Sequence, residues 1–243
     1  MHCATELASI MYRLLPAFSL AALSLLVIAA LGTRTGLWSY VVGFQLVGLA
    51  SCLALVAGGL AFGRLLTGSA GRPAGLVVAL VAALATLAMP LHGLYRVSTV
   101  PMIHDISTDT DDPPRFVELA ARRQAGENPA EYAGRAVAEA QRAAYPDLRP
   151  LASSRPPQQA FEHALAVAGA LGWEIVAREP MEGRIEATYT SPWFGFTDDI
   201  VIRVRPDERG GSRVDVRSMS RVGRSDLGAN AARLRAFAAR FER

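Results

Sequence analysis

Three long stretches without a charge dominate the first hundred or so residues, and short alternating runs dominate the last third. Leu14–Thr33, Thr35–Gly63 and Pro73–Tyr95 are bounded by Arg13, Arg34, Arg64, Arg72 and Arg96. A helix that spans a bilayer needs about 20 mostly apolar residues. A buried helix of a water-soluble protein rarely runs that far without a charge on one face. The pattern therefore predicts three transmembrane helices, at about 14–33, 37–62 and 74–95, within a membrane region of residues 1–98. The first run is too long for the apolar core of a signal peptide, and two more follow it.

Beyond residue 98 the pattern changes. An acidic, Pro-containing stretch, residues 99–126, reads as a linker. Asn128-Pro129-Ala130-Glu131 has the form of a capping box, which predicts a helix to about Ala143. A second helix is expected from Pro156-Pro157, with Phe161, Ala164, Leu165, Ala168 and Leu171 on one face and Gly172 at its end. Four strands follow, at Trp173–Arg178, Arg184–Thr190, Asp199–Arg205 and Arg213–Ser220. The last three alternate apolar and polar residues with period two, the mark of a sheet with one face covered. Pro180–Gly183 and Asp207–Gly211 are turn sequences, so neighbours should run antiparallel. A last helix starts near Ser225-Asp226 and carries Leu227, Ala231, Leu234 and Phe241 as an apolar stripe. The expected fold is an all-α membrane anchor followed by an α+β domain, residues 127–243. Its four-stranded, mostly antiparallel sheet is covered by two helices.

Charge sharpens this picture. The apolar fraction is 51% and the formal net charge +3, with every basic residue an arginine. The excess positive charge flanks the apolar runs, and the later residues are nearly neutral, so no basic surface for nucleic acid is expected. With the N-terminus in the cytoplasm, Arg13, Arg64 and Arg72 lie inside and Arg34 and Arg96 outside. That is the arrangement the positive-inside rule favours. It makes the chain a multi-pass inner-membrane protein with its C-terminal domain in the periplasm. Trp38, Tyr40 and Tyr95 suit the two interfaces, and Gly43, Gly48, Gly58 and Gly59 permit close helix contacts. His92 near the third run reads as an interfacial residue. The two cysteines, Cys3 and Cys52, both precede the C-terminal domain and supply it with neither disulfide nor metal site.

Candidate chemistry is sparse. The acidic stretch holds His104, Asp105, Asp109, Asp111 and Asp112. Closely spaced carboxylates can hold a hard cation, but counting from Asp105 the sixth and twelfth positions are Thr110 and Phe116, not the Gly and Glu of an EF-hand. Arg221, Arg224, Ser225, Asp226 and Asn230 cluster between the last strand and the last helix, where a helix start and two arginines could hold an anion. Alternatively Asp105 or Asp109 docks on Arg221 or Arg224. Trp193, Phe194 and Phe196 form an aromatic loop that suits core packing, a ligand groove or the membrane interface. No nucleophile elbow, zinc motif or nucleotide loop is present, so no cofactor or metal is expected.

Several of these blocks resemble one family. His104-Asp105-Ile106-Ser107-Thr108-Asp109 with Asp112-Pro113-Pro114, and Tyr145-Pro146-Asp147, are similar to its opening blocks. Gly172-Trp173-Glu174 and Trp193-Phe194-Gly195-Phe196 resemble its middle, and the run Ser220 to Asn230 its closing signature. The chain over about residues 102–242 thus resembles the family catalogued as domain of unknown function 1499. The resemblance implies a membrane-associated domain and assigns no activity. More loosely, the element order is similar to the helix-grip domains of an outer-membrane assembly lipoprotein. The expected function is a non-enzymatic envelope module that binds a protein partner, a lipid or a small ligand. The alternatives are a hydrolase or metal-dependent enzyme built on His104, Asp105 and Asp109, and a structural accessory of a membrane complex.

Overall fold

The computed structural model describes residues 2–68, 73–208 and 210–243, with residues 2–9 described through their backbone alone. Arg72 of the charge asymmetry, Arg209 of the last turn, and the Cys3 and Glu6 side chains lie outside the described residues. The chain divides into two compact units. One comprises residues up to Tyr95 together with Pro192–Gly195; the other comprises Arg96–Ser191 and Phe196–Arg243.

The first unit is built from α1 (His2–Arg34), α2 (Tyr40–Leu66) and the body of α3 (Pro73–Thr99). All three helices are long and apolar enough to cross a membrane. Their contacts use small residues. Ala22, Ala54 and Ala83 form one buried cluster, and a side chain at Gly58 would run into Ala83. Gly43 sits against Thr33, whereas Gly48 and Gly59 face open space. The large side chains point outward instead: Leu20, Ile28, Leu55, Val56, Val81 and Leu84 are exposed. In water this arrangement would leave the greater part of the apolar area unburied. In lipid it is the expected one, because helices there associate through close backbone approach.

The second unit carries β1 (Asp105–Ser107), α4 (Glu118–Ala121), α5 (Arg135–Ala144), β2 (Leu151–Ser153), α6 (Pro157–Ala170), β3 (Glu174–Glu179), β4 (Arg184–Thr190), β5 (Thr197–Pro206), β6 (Ser212–Ser220) and α7 (Ala229–Phe241). The sheet has six strands rather than four. Its order is β1-β6-β5-β4-β3, with β2 also on the outer edge of β6, and every pairing is antiparallel. The two added strands are three residues each, too short to show a period. β1 lies inside the acidic stretch read as a linker, bonded to β6 with Asp105 opposite Met219.

The helix expected from Asn128 begins instead at Arg135. The Asn128 side chain donates to the carbonyls of Ser220 and Gly223, both at 2.9 Å, and so serves another segment instead of capping its own. α6 and α7 cover one face of the sheet as expected. Ile185, Ile200, Ile202, Val204, Val214 and Val216 meet Phe161, Ala164, Leu234, Phe237 and Phe241 in one core. Trp173 stacks on Phe237 at 5.5 Å.

The other face is also covered, which the alternation does not predict. Phe116 and Leu119 lie on Val201 and Met219. Around this small apolar patch the sheet buries charges.

Candidate functional site

The polar side chains of β4, β5 and β6 that alternate with the core all point to this second face. Arg217 and Asp105 meet at its centre, each only 1% exposed. The pair is bidentate, with Nε on Oδ1 at 2.8 Å and Nη2 on Oδ2 at 2.7 Å. Arg217 also donates to the carbonyls of Pro114 (3.2 Å) and Ala130 (3.0 Å). Its guanidinium lies 4.8 Å from the Phe116 ring centre and 5.4 Å from that of Tyr132. A buried charge needs this degree of compensation, since partner, hydrogen bonds and ring faces replace lost water.

Three further ion networks surround the pair. Asp215 accepts from Arg203 (2.9 Å), Arg205 (3.0 Å) and Arg213 (3.0 Å). Asp109 pairs with Arg213 and Arg203, and Asp112 with Arg205 and Arg203. Burial alone would lift the Asp112 carboxyl, but the Arg203 and Arg205 charges outweigh it and hold it below the usual carboxylate range. Asp199 is held between Arg221 (2.9 Å) and Arg123 (2.8 Å). Burial draws the Arg123 guanidinium down from its usual value. Glu186 pairs with Arg184 and accepts the backbone N–H groups of Val117 (2.8 Å), Glu118 (3.2 Å) and Leu119 (2.8 Å), tying the start of α4 to the sheet.

A pocket of about 490 Å³ opens onto this layer. Arg217 forms part of its lining, with Phe116, Tyr132, Asp111, Asp112, Arg115 and Glu131. The Tyr132 hydroxyl is buried and finds no hydrogen-bond partner among the described residues. Burial, with the Asp105 charge adding to it, pushes the phenol up to about 12, so it stays a neutral donor at physiological pH. A second pocket of about 370 Å³ lies beside it, lined by Asp109, Arg142, Tyr145, Arg149 and Arg213, and Asp111 lines both.

The cluster at the start of α7 is differently arranged from the anion site that its sequence suggests. Asp226 itself accepts the N–H groups of Gly228 (2.7 Å) and Asn230 (2.9 Å), so the helix start is filled by the chain's own carboxylate. Burial pushes the Asp226 carboxyl up despite those two bonds. Leu227 takes a left-handed conformation at φ 54, and its carbonyl accepts from Arg96 Nε at 2.9 Å. Ser225 accepts the Leu227 N–H at 3.2 Å. Asn230 accepts from the Ser218 hydroxyl at 2.7 Å and donates to the His104 carbonyl at 2.9 Å. Arg224 is exposed.

The sequence of the domain decides its kinship. The profile of a family described as "Protein of unknown function (DUF1499)" matches residues 105–241, more than half of the chain. The chain belongs to DUF1499. The match begins at the first residue of β1 and ends at the last of α7. The DUF1499 domain therefore includes the acidic stretch as part of its sheet. No curated protein matches the chain. Among solved structures, the crystal structure of TTHA0849 from Thermus thermophilus is similar at 14% identity, with a TM-score of 0.24, over 38% of this chain and 94% of that one.

In this DUF1499 chain the docking expected of Asp105 or Asp109 on Arg221 or Arg224 is replaced by other partners. Asp105 takes Arg217, Asp109 takes Arg213 and Arg203, and Arg221 takes Asp199. His104 meets the α7 cluster through its backbone carbonyl, which accepts from the Ser220 N–H and the Asn230 side chain. Among the described residues no group of three or more His, Cys, Asp or Glu side chains could hold a metal ion. Sequence reasoning missed Arg217, Tyr132, Phe116 and Glu186. Arg217 reads as one more outward charge on an alternating strand. Its position opposite Ser107 follows only from the pairing of β1 with β6. The aromatic loop is split: Phe194 is buried, whereas Trp193 is exposed.

Proposed function

We propose that this DUF1499 chain is a membrane-anchored binding module of the cell envelope that holds a small ligand in the pocket lined by Arg217 and Tyr132. In this reading the N-terminus is cytoplasmic and the domain lies outside, as the distribution of Arg13, Arg34, Arg64, Arg72 and Arg96 favours. One observation carries the ligand assignment. A hydroxyl buried without a partner is a standing penalty of about 1–3 kcal/mol, and the unpaired Tyr132 hydroxyl belongs to a residue lining a pocket of about 490 Å³. That volume lies in the usual range for small-molecule sites, roughly 300–1,000 Å³. A ligand whose acceptor reached the Tyr132 hydroxyl, which is closed to solvent in this structure, would remove the penalty, with Arg217 and the rings of Phe116 and Tyr132 as a wall. The hydrolase reading draws less support, because Asp105 and Asp109 are each paired with arginine side chains.

The test is native mass spectrometry of the full chain purified in detergent, wild type against Ala130→Trp, a change that fills the pocket. The wild type should carry a small-molecule adduct that the variant lacks. Identical spectra from both proteins would end this reading.

A further inference from the structure

We infer that the Pro192–Gly195 loop is an interfacial membrane anchor whose Trp193 sits among the lipid headgroups. The inference rests on the spanning reading of α1 and α2 and adds a lipid contact made by a residue far away in sequence. Residues 192–195 belong to the helical unit. The loop is pinned there at several points. Arg34, the last residue of α1, donates from Nη1 to the Pro192 carbonyl at 2.8 Å. Gly195, at φ 71, lies so close to Arg34 that a Cβ would come within 3.1 Å of its Cα. Phe194 is buried, with its ring 5.4 Å from that of Phe44, one turn into α2. Phe44 in turn meets Tyr40 edge-on at 6.1 Å.

These contacts fix the depth of the loop. The apolar run of α1 stops at Arg34, and α2 begins at Tyr40, two residues after Trp38. The loop thus lies at the level where hydrocarbon gives way to headgroups. Phe194 is consumed by the helix contact, while Trp193 is 59% exposed. Leu31, Leu37, Val41 and Phe44, all exposed at the same end, make the surrounding surface apolar. An indole has a large apolar body and one N–H donor, the combination that favours the interfacial zone over water or hydrocarbon. Lipid is therefore the occupant that matches Trp193 in depth, polarity and continuity with the lipid-facing helices.

The experiment uses the full chain in liposomes, with Cys3 and Cys52 replaced by Ser and a nitroxide placed at single introduced cysteines. Trp193→Cys is compared with Met181→Cys, 99% exposed in the β3–β4 turn, and with Leu55→Cys, 60% exposed in the middle of α2. Collision rates with oxygen and with a water-soluble nickel complex are measured for each. The label at 193 should collide with nickel several-fold less often than that at 181 and with oxygen more often, between the values at 181 and 55. Values equal to those at 181 would place the loop in water and overturn the inference. Shielding from both reagents would place it against protein and overturn it equally. A label at 55 that nickel reaches freely would instead sink the spanning reading itself, so the two failures are distinguishable. All three positions are exposed, so labelling them leaves the packed regions intact.

Discussion

Arg217 holds a positive charge that is almost wholly buried, and Asp105 meets it there with two hydrogen bonds. Such a pair adds little net stability over an apolar pair of the same shape, but removing one partner strands the other. Arg217→Met in the full chain should therefore lower the unfolding free energy of the domain by about 3–5 kcal/mol, and Asp105→Leu by a similar amount. The double variant should recover a large part of that loss. Urea unfolding followed by the fluorescence of buried Trp173 measures all four proteins. Single effects that simply add would show that the two side chains do not act as a pair. Sequence alone could reveal only that acidic and basic blocks of similar strength occur in one near-neutral region. It could not choose among Arg203, Arg213, Arg217 and Arg221 as partners, because charge complementarity has no register of its own.

At the level of elements the register comes from backbone pairing. β5 and β6 alternate for most of their length, and the apolar half of that alternation is legible: Ile200, Ile202, Val204, Val214 and Val216 all enter the core under α6 and α7. The charged half, Arg203, Arg205, Arg213, Asp215 and Arg217, reads as solvent-facing by the same rule. It is buried or partly buried because residues 108–132 fold back over it. A covering segment that satisfies charges by ion pairs leaves no apolar period of its own, so α4 escapes notice, and β1 and β2 are too short to show one. Turn chemistry is more readable. Gly183, expected in the turn after Pro180, has φ 64 and lies against the Val204 carbonyl, and its own carbonyl accepts the Val204 N–H at 2.7 Å. A side chain there meets a left-handed backbone, at about 1–2 kcal/mol, and also displaces a central strand. Gly183→Ala should thus destabilise the domain by more than about 2 kcal/mol. A thermal or urea midpoint equal to that of the wild type would show that β5 can yield at this point.

For the whole molecule, the question is where one solvent ends and the other begins. The helical unit exposes many of its leucines and valines and buries alanines, the pattern expected of helices that pack in lipid. The remainder closes two cores of its own, one under α6 and α7 and one under Phe116 and Leu119. Both draw on residues ahead of position 127: Ile103 and Ile106 enter the larger core, and Phe116 and Leu119 the smaller, while Asp105 pairs with Arg217. The acidic stretch reads as a linker because linkers are also rich in Asp, Thr and Pro, and three-residue strands carry no periodic signal. A chain that starts at Arg96 should accordingly dissolve without detergent and unfold in one cooperative transition. A chain that starts at residue 127 lacks β1, Phe116, Leu119, the Asp105 partner of Arg217 and the three backbone N–H groups that Glu186 accepts. It should aggregate or unfold without a transition, since it leaves several buried charges uncompensated at once. Size-exclusion chromatography and urea titration of the two fragments separate these outcomes. If the shorter fragment folds as cooperatively as the longer one, the covering segment is an accessory and the ion layer can stand open to water.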